Sequence, residues 1–558
     1  MRTMIKNLFS FSLLALLISS CGKKTVDVLI PENAAMVFHI NAASLGTKLT
    51  WDEIKNSEWF KMASKESHTD DFEKKLLEDP ENSGIDLKSD MYLSIHMSGK
   101  NSYSVFQGKL KDVKTYETMI TKAGKNKEIK KDGSINYTGD KGGLVTWNND
   151  RFIIVGQSAG YFPGNKDLYG DNDEHSITMD SVLKFAKDIY NLKKSKSIGN
   201  DSRFASLLNE KGDMHFWMNS SSLIQNSMPM GMGEMFKVTS LLQGNATGYT
   251  LSFDDGKISA STKTWFNKEL GDLMKKYNAR NLNTDMLKKI PGQDVAFVFA
   301  MNYPPGGLKE ILQLVGVDGI VNGLIGMLGI SIDDFVKAMK GDMLFAVSDF
   351  SVKDKKKSIE FGTDTMSFSN PEPDAKVLFA ISINDKASFD KIADVLKKEI
   401  SKQGGTEDLD KIKYTVKDNW LIAGNSQENV DDFAAGKTTE HAFITKISGH
   451  PMGGYIDLQK ILGSIQSKET EGYKNLISGE GNIWENIIFY GGEMKSGAMT
   501  GHFEVNMIDK KTNSLKQFNN YISTIATTYK NKRNNEIKED TEMLLAPDSI
   551  NIPPPAPK

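Results

Sequence analysis

Ile30-Pro31, followed by Ala35-Met36-Val37-Phe38-His39-Ile40-Asn41 and then Leu45, returns later in the chain as Ile290-Pro291, Ala296-Phe297-Val298-Phe299-Ala300-Met301-Asn302 and Leu308. Further blocks follow in the same order. Phe106, Leu110, Asp112 and Tyr116 recur as Phe379, Ile383, Asp385 and Phe389, all four at one spacing, somewhat longer than that from Asn41 to Asn302. Asp150, Phe152, Gly156 and Ser158 recur, again at one spacing, as Asp418, Trp420, Gly424 and Ser426. Asn219, Leu223 and Ile224 recur at a shorter common spacing as Asp457, Ile461 and Leu462. A conserved order with a drifting offset is what a tandem duplication leaves when loops gain and lose residues, since loop length is thermodynamically cheap. A smaller unit repeats inside each half: an apolar strand ends in Asn or Asp, a residue suited to a helix N-cap, and a helix opens just after it.

The fold class expected is therefore α+β. It consists of two tandem homologous halves, 27–285 and 286–530, each a largely antiparallel sheet with packed helices. Tyr92–His96, Ser104–Leu110 and Phe152–Val155 read as strands. Tyr249–Phe253, a turn at Asp254-Asp255-Gly256, and Ile258–Trp265 read as a hairpin. Helical spacing covers Asp112–Ala123 and Ser388–Ile400. Matched residues should occupy matched places: Asn41 with Asn302, Asp112 with Asp385, Gly156 with Gly424. A ligand site is expected between the halves.

The 558 residues carry 69 Lys+Arg against 72 Asp+Glu, and only five of the basic residues are arginine. Near-neutral charge lacks the electrostatic footprint of a nucleic-acid binder, and scarce arginine disfavours bidentate phosphate or carboxylate sites. The single cysteine, Cys21, permits no intramolecular disulfide and no cysteine-based zinc site. Arg2 and Lys6 precede an apolar stretch, Leu8–Leu17, and then Ile18-Ser19-Ser20-Cys21-Gly22. That is the layout of a bacterial lipoprotein signal over residues 1–20, with Cys21 as the acylated residue and 21–28 as a tether. Removal of residues 1–20 takes away Arg2 and Lys6 and moves the net charge from −3 to −5. The membrane, reached through lipid on Cys21, is the expected partner, together with an envelope protein or a glycan. No acidic stretch follows Cys21, so the periplasmic face of the outer membrane is favoured over the cell surface.

The opening block, continued by Trp51-Asp52-Glu53-Ile54-Lys55 and Ser57-Glu58-Trp59-Phe60, resembles uncharacterised lipoproteins of Bacteroidetes-type bacteria, the domain of unknown function 4836. The resemblance covers nearly the whole chain after the signal. It implies a cell-envelope location and no reaction.

No G-x-S-x-G, H-E-x-x-H or Walker motif is present, and none of the eight histidines stands four residues from another. His39, His96 and His215 lie in predicted strands as ordinary paired side chains. Met228, Met230, Met232 and Met235 form a cluster of soft sulfurs that suits Cu(I), although adaptable apolar filling is the plainer reading. Asp171–His175 is acidic but lacks the glycine of a calcium loop. Ser181, Thr365 and Ser549 follow Asp and precede an apolar residue, the pattern of bacterial O-glycosylation. Ile311–Ile330, apolar and glycine-rich, reads as buried helices joined by a turn, with an exposed lipid- or partner-contacting patch as the alternative. Residues 536–558, ending in Pro553-Pro554-Pro555-Ala556-Pro557, read as a disordered tail. No cofactor is expected. The leading function is a non-catalytic, lipid-anchored binding or scaffolding module; the alternative is an envelope hydrolase of glycan, lipid or peptide with a dispersed site.

Overall fold

The computed structural model describes residues 26–66, 79–97, 102–123, 128–140, 143–157, 178–222, 237, 241–361, 364–402, 412–464 and 481–545. All its strands join one 18-stranded sheet whose pairings are antiparallel throughout. The first ten are β1 (Met36–Ile40), β2 (Met91–His96), β3 (Tyr103–Lys109), β4 (Lys130–Asp132), β5 (Ile135–Asp140), β6 (Gly143–Trp147), β7 (Arg151–Gln157), β8 (Met214–Asn219), β9 (Ala246–Asp254) and β10 (Lys257–Trp265). The remainder are β11 (Val295–Asn302), β12 (Met339–Phe361), β13 (Asp364–Ile383), β14 (Lys413–Lys417), β15 (Trp420–Gly424), β16 (Met452–Asp457), β17 (Trp484–Lys495) and β18 (Ala498–Met507).

Across the sheet the order is β4-β5-β6-β7-β3-β2-β1-β8-β9-β10, and then β18-β17-β16-β11-β12-β13-β15-β14. Outward from a central seam where β10 pairs with β18, the first eight strands on each side follow one order, and β4 and β5 extend one side alone. Registers agree with the sequence repeats near the seam. Ile40 faces Met214, and their counterparts by the repeat spacings, Met301 and Met452, also face each other. Tyr92 faces Gln107, and Leu344 faces Ala380. At the outer strands the match slips by one residue. Gly156 faces Ser104, but Gly424 faces Leu378 rather than Val377. The expected equivalence of Gly156 and Gly424 is corrected accordingly. β14 and β15 are joined by Asp418-Asn419, both with positive φ, a tighter turn than the one at Asn148–Asp150.

Alternation sorts the side chains between two faces. On one face, Val37, Trp217 and Ala246 pack under Ile30, Ile198, Phe204 and Leu207. Val105, Ile153 and Val155 pack under helix Met179–Tyr190. In the later half, Val298, Ala300, Leu344 and Ile422 pack under Val430, Phe433, Ile444 and Ile447. On the other face, helices Val113–Ala123 and Lys386–Lys402 cover only the outer strands, through Tyr116 and Ile120 on Phe106 and Phe152, and through Phe389 and Ile392 on Ile381.

Asp112 and Asp385 do the same work: each accepts a backbone N–H three residues ahead, from Thr115 and Ser388, at 2.8 Å. Asn41 and Asn302 do not. Asn41 caps a helix through Ser44 N–H, whereas Asn302 is buried and donates to Asp342 Oδ1 at 2.8 Å. Its following helix, Pro305–Val315, opens on prolines, so no capping side chain is used.

Two expectations are corrected. Helix Ser514–Leu545 continues past residue 536, because no proline interrupts it before Pro547. Its early turns are tied down by Asn519 accepting from Trp59 Nε1 (2.9 Å) and by the Lys516–Glu53 pair (2.7 Å). The Ile311–Ile330 segment is not buried. Helices Pro305–Val315 and Asp318–Gly326 bury only Gly307 fully. Glycine at every third or fourth position supplies too little side chain to fill a core.

Candidate binding surface and histidine row

Over the central strands the second face of the sheet carries aromatic and methionine side chains that stay half-buried. Phe38 stacks on Phe216 with centroids 4.5 Å apart, and Phe216 on Tyr249 at 5.7 Å. Beyond the seam, Phe503 is exposed, and Phe489 and Phe299 lie 6.3 Å apart. One edge of this face is a methionine belt, with Met36 opposite Met218, Met499 opposite Met494, and Met301 opposite both Met452 and Met343. Gly501 and Gly491 face each other between the two groups, so the surface dips there. Phenylalanine offers rigid area and methionine an adaptable, polarisable one, a combination that suits an apolar partner of irregular shape. Apolar surface of this extent is unusual on a sheet, where one face is normally either covered or polar.

The opposite face at the seam is polar. Reading across paired positions, one rung runs Tyr92, His39, His215, Thr250, Ser261, His502, Tyr490. His39 and His215 are buried, with their Nδ1 atoms 2.9 Å apart. His215 Nε2 lies 3.2 Å from the Glu210 carbonyl, an acceptor that requires a proton on that nitrogen. His215 Nδ1 then accepts, and His39 Nδ1–H donates. His39 Nε2 lies 3.2 Å from Asp90 Oδ1. The adjoining His39 ring holds the Asp90 carboxyl below its usual range. Burial, and then the neighbouring His39, push the His215 imidazole down. Burial does the same to His502 and takes His96 down to about 4. Further along, Glu210 pairs with Lys263 and accepts from Thr250 Oγ1 at 2.7 Å, while Glu504 lies within 3.5 Å of Lys257 and 3.3 Å of Lys446. Ser252, Ser259, Ser261, His502 and Glu504 line a shallow cavity of about 210 Å³ at the seam. In the later half Ala300 and Gly453 stand where His39 and His215 stand, so the histidine pair belongs to one half alone.

A second cavity, of about 380 Å³, lies where β8 ends and β9 begins. Asn200, Asn219, Asn245 and Trp217 line it, and Arg203 closes one wall, paired to Asp201 at 2.7 Å and placed over the Trp217 ring at 5.6 Å. Glu32 and Asp201 also line it, so amides, an aromatic ring and charges of both signs share its wall.

The structure brings few of the sequence candidates together. Cys21, Met228, Met230, Met232, Met235, Asp171–His175 and Ser549 lie outside the described residues. Ser181 is in the first turn of helix Met179–Tyr190, its N–H donating to Thr178 Oγ1 at 3.3 Å, and Thr365 is on β13 opposite Glu360. Among the described residues no group of three or more His, Cys, Asp or Glu is placed to hold a metal ion, and no helix is long and apolar enough to cross a membrane. Sequence reading missed the aromatic face and the His39–His215 contact. The available signal was that Val37–Ile40 and Met214–Met218 carry apolar residues in both alternating sets of positions, interrupted only by His39 and His215, which a strand with one watery face would not show.

The model of the family described as Domain of unknown function (DUF4836) matches residues 26–361. Among solved structures, crystal form I of TP0453 is similar at 12% identity, covering 47% of this chain and 90% of that one, with a TM-score of 0.25. Crystal form IV of TP0453 is similar at 11% identity, covering 46% and 88%, with the same TM-score. Of the curated proteins, none matches.

Proposed function

The chain belongs to the DUF4836 family, and on that premise we propose that it is a lipid-anchored envelope protein serving as a non-catalytic binding or scaffolding module. Its anchor is acylated Cys21, and its partner is an apolar segment of another envelope component. The observation that carries the binding role is the face of half-buried Phe38, Phe216, Tyr249 and Phe489 and exposed Phe503, with its methionine belt. Burying such side chains fully releases about 25 cal/mol per Å² of apolar area. Ordered aromatic rings lose little freedom on binding.

The test is capture of the acylated protein from its own membranes, comparing wild type with the double variant Phe216→Ser, Tyr249→Lys. The variant is expected to remain membrane-bound and to lose the co-purifying partner. An unchanged set of partners would remove the aromatic face from the reading.

A further inference from the structure

The helical hairpin after β11 is braced at its base and bare at its tip. At the base, Glu310 pairs with Lys276 and accepts from Tyr277 Oη at 2.6 Å; Lys309 reaches Asp333 at 2.6 Å; Asn322 Oδ1 accepts from Ile332 N–H at 3.1 Å. Ile311, Leu314 and Val315 pack on Leu241, Leu270 and Leu273. Toward the tip, Ile320 is 53%, Leu324 59% and Met327 77% exposed, and Leu328 is exposed as well. Between Ile311 and Ile330 the only charged residue is Asp318. Side chains added at Gly319, Gly323 and Gly326 would meet nothing. Each of these glycines costs a water-exposed helix roughly 1 kcal/mol against alanine, so this helix is poorly suited to open water.

The place of this tip in the fold indicates what covers it. Strand pairing sets Met36 against Met218, Thr247 against Thr264 and Thr264 against Met499. The start of β1, and the end of β11 at Asn302, therefore lie at the same end of the sheet. Val26, the first described residue, is tied there by its N–H to Gly199 O (3.0 Å), and Ser197 beside it bridges to Pro31. Val26 stands five positions after Cys21, and at about 3.3–3.6 Å per residue that stretch reaches no more than roughly 18 Å. A lipid on Cys21 thus holds a bilayer against the end of the molecule from which the hairpin projects.

We propose that the tip of this hairpin, Ile320, Leu324, Met327 and Leu328, inserts into the lipid surface that anchors Cys21, giving the protein a second membrane contact and a fixed orientation. The orientation rests on the lipid-anchor reading of Cys21. A short, nearly uncharged helix with leucine, isoleucine and methionine on its outside enters the acyl boundary through apolar burial rather than through attraction to anionic headgroups.

The experiment separates the insertion from the anchor. The chain from residue 22 onward has no cysteine, so Leu324→Cys carries a single environment-sensitive NBD label; Lys511→Cys, exposed at the opposite end, is the control. Each protein is tethered by an N-terminal His tag to phosphatidylethanolamine–phosphatidylglycerol vesicles bearing a nickel-chelating lipid. A blue shift at position 324, quenched by spin-labelled acyl chains, with water-like emission at 511, is expected. It should be lost with Ile320→Glu, Met327→Glu, both of which are surface changes. Water-like emission at 324 on tethered vesicles overturns the proposal, as does a blue shift that arises from self-association without lipid. The anchor is judged separately: a Cys21→Ala protein that stays on salt-washed membranes overturns the lipoprotein reading and leaves the vesicle result standing.

Discussion

Single buried groups set the protein's response to acid. His96 is 3% exposed, hydrogen-bonded to Ser94 Oγ at 3.0 Å and stacked on Tyr103 at 4.6 Å. Burial lowers its pKa to about 4, against 6.5 unfolded. The unfolded chain therefore takes up a proton that the native state refuses. The stability is present in full above the unfolded value and drains as pH falls toward the folded one, at about 1.4 kcal/mol per pH unit. Urea unfolding at pH 6.5 and pH 5 should show a loss between about 1 and 2 kcal/mol from this group, with His215 adding in the same direction. His96→Gln should flatten the dependence; an equally steep curve would mean that His96 is protonated in the native state. The His39–His215 contact joins residues 176 positions apart. Nothing local in the sequence announces it, because neighbours in a sheet are set by strand order, and the duplication signal is silent where the second copy holds Ala300 and Gly453.

At the level of elements, agreement between sequence and structure follows the strength of local chemistry. The hairpin of β9 and β10 was legible because alternation and the Asp-Asp-Gly turn agree, and the helices after β3 and β13 because Asp112 and Asp385 cap them. Asp112→Ala and Asp385→Ala should each lower stability by about 1 kcal/mol, read as a shift in urea midpoint without a change in slope. A near-zero effect at only one of them would break the equivalence of the two helices. The long strands β12 and β13 were not legible: Pro371 and Pro373 and the lysine run Lys353–Lys357 argue against a strand, yet Asp354 pairs with Pro371 and Lys355 with Asn370. Helix Ser514–Leu545 escaped notice because its packing mixes Phe518 and Tyr521 with buried Gln517 and Asn519, and its anchors, Trp59 and Glu53, come from the far end of the chain.

For the molecule as a whole, anchorage and unity of folding are separate questions. Cys21→Ala should release the protein into the soluble fraction after a salt wash, since the acyl chains supply the holding energy. Residues 27–285 and 286–530 are expected to superpose, apart from loops and the slipped outer strands. The seam of nine paired residues from Lys257 to Trp265 makes them one continuous sheet, so thermal unfolding should be a single transition with matching calorimetric and van't Hoff enthalpies. Two separated transitions would show that the seam does not couple the halves. Ser261 and His502 face each other at its middle, one from each half, and the pairing reads alike from either side. If the halves arose by duplication, this is a homodimer contact written into one polypeptide. A free dimer falls apart on dilution; a fused one has no dissociation constant, and its two copies no longer have to mutate in step. Cutting after residue 285 should restore the older arithmetic: the first copy, with β10 left bare, should pair with itself and show a mass that rises with concentration in light scattering. One copy has meanwhile been free to acquire a buried histidine pair that the other never needed.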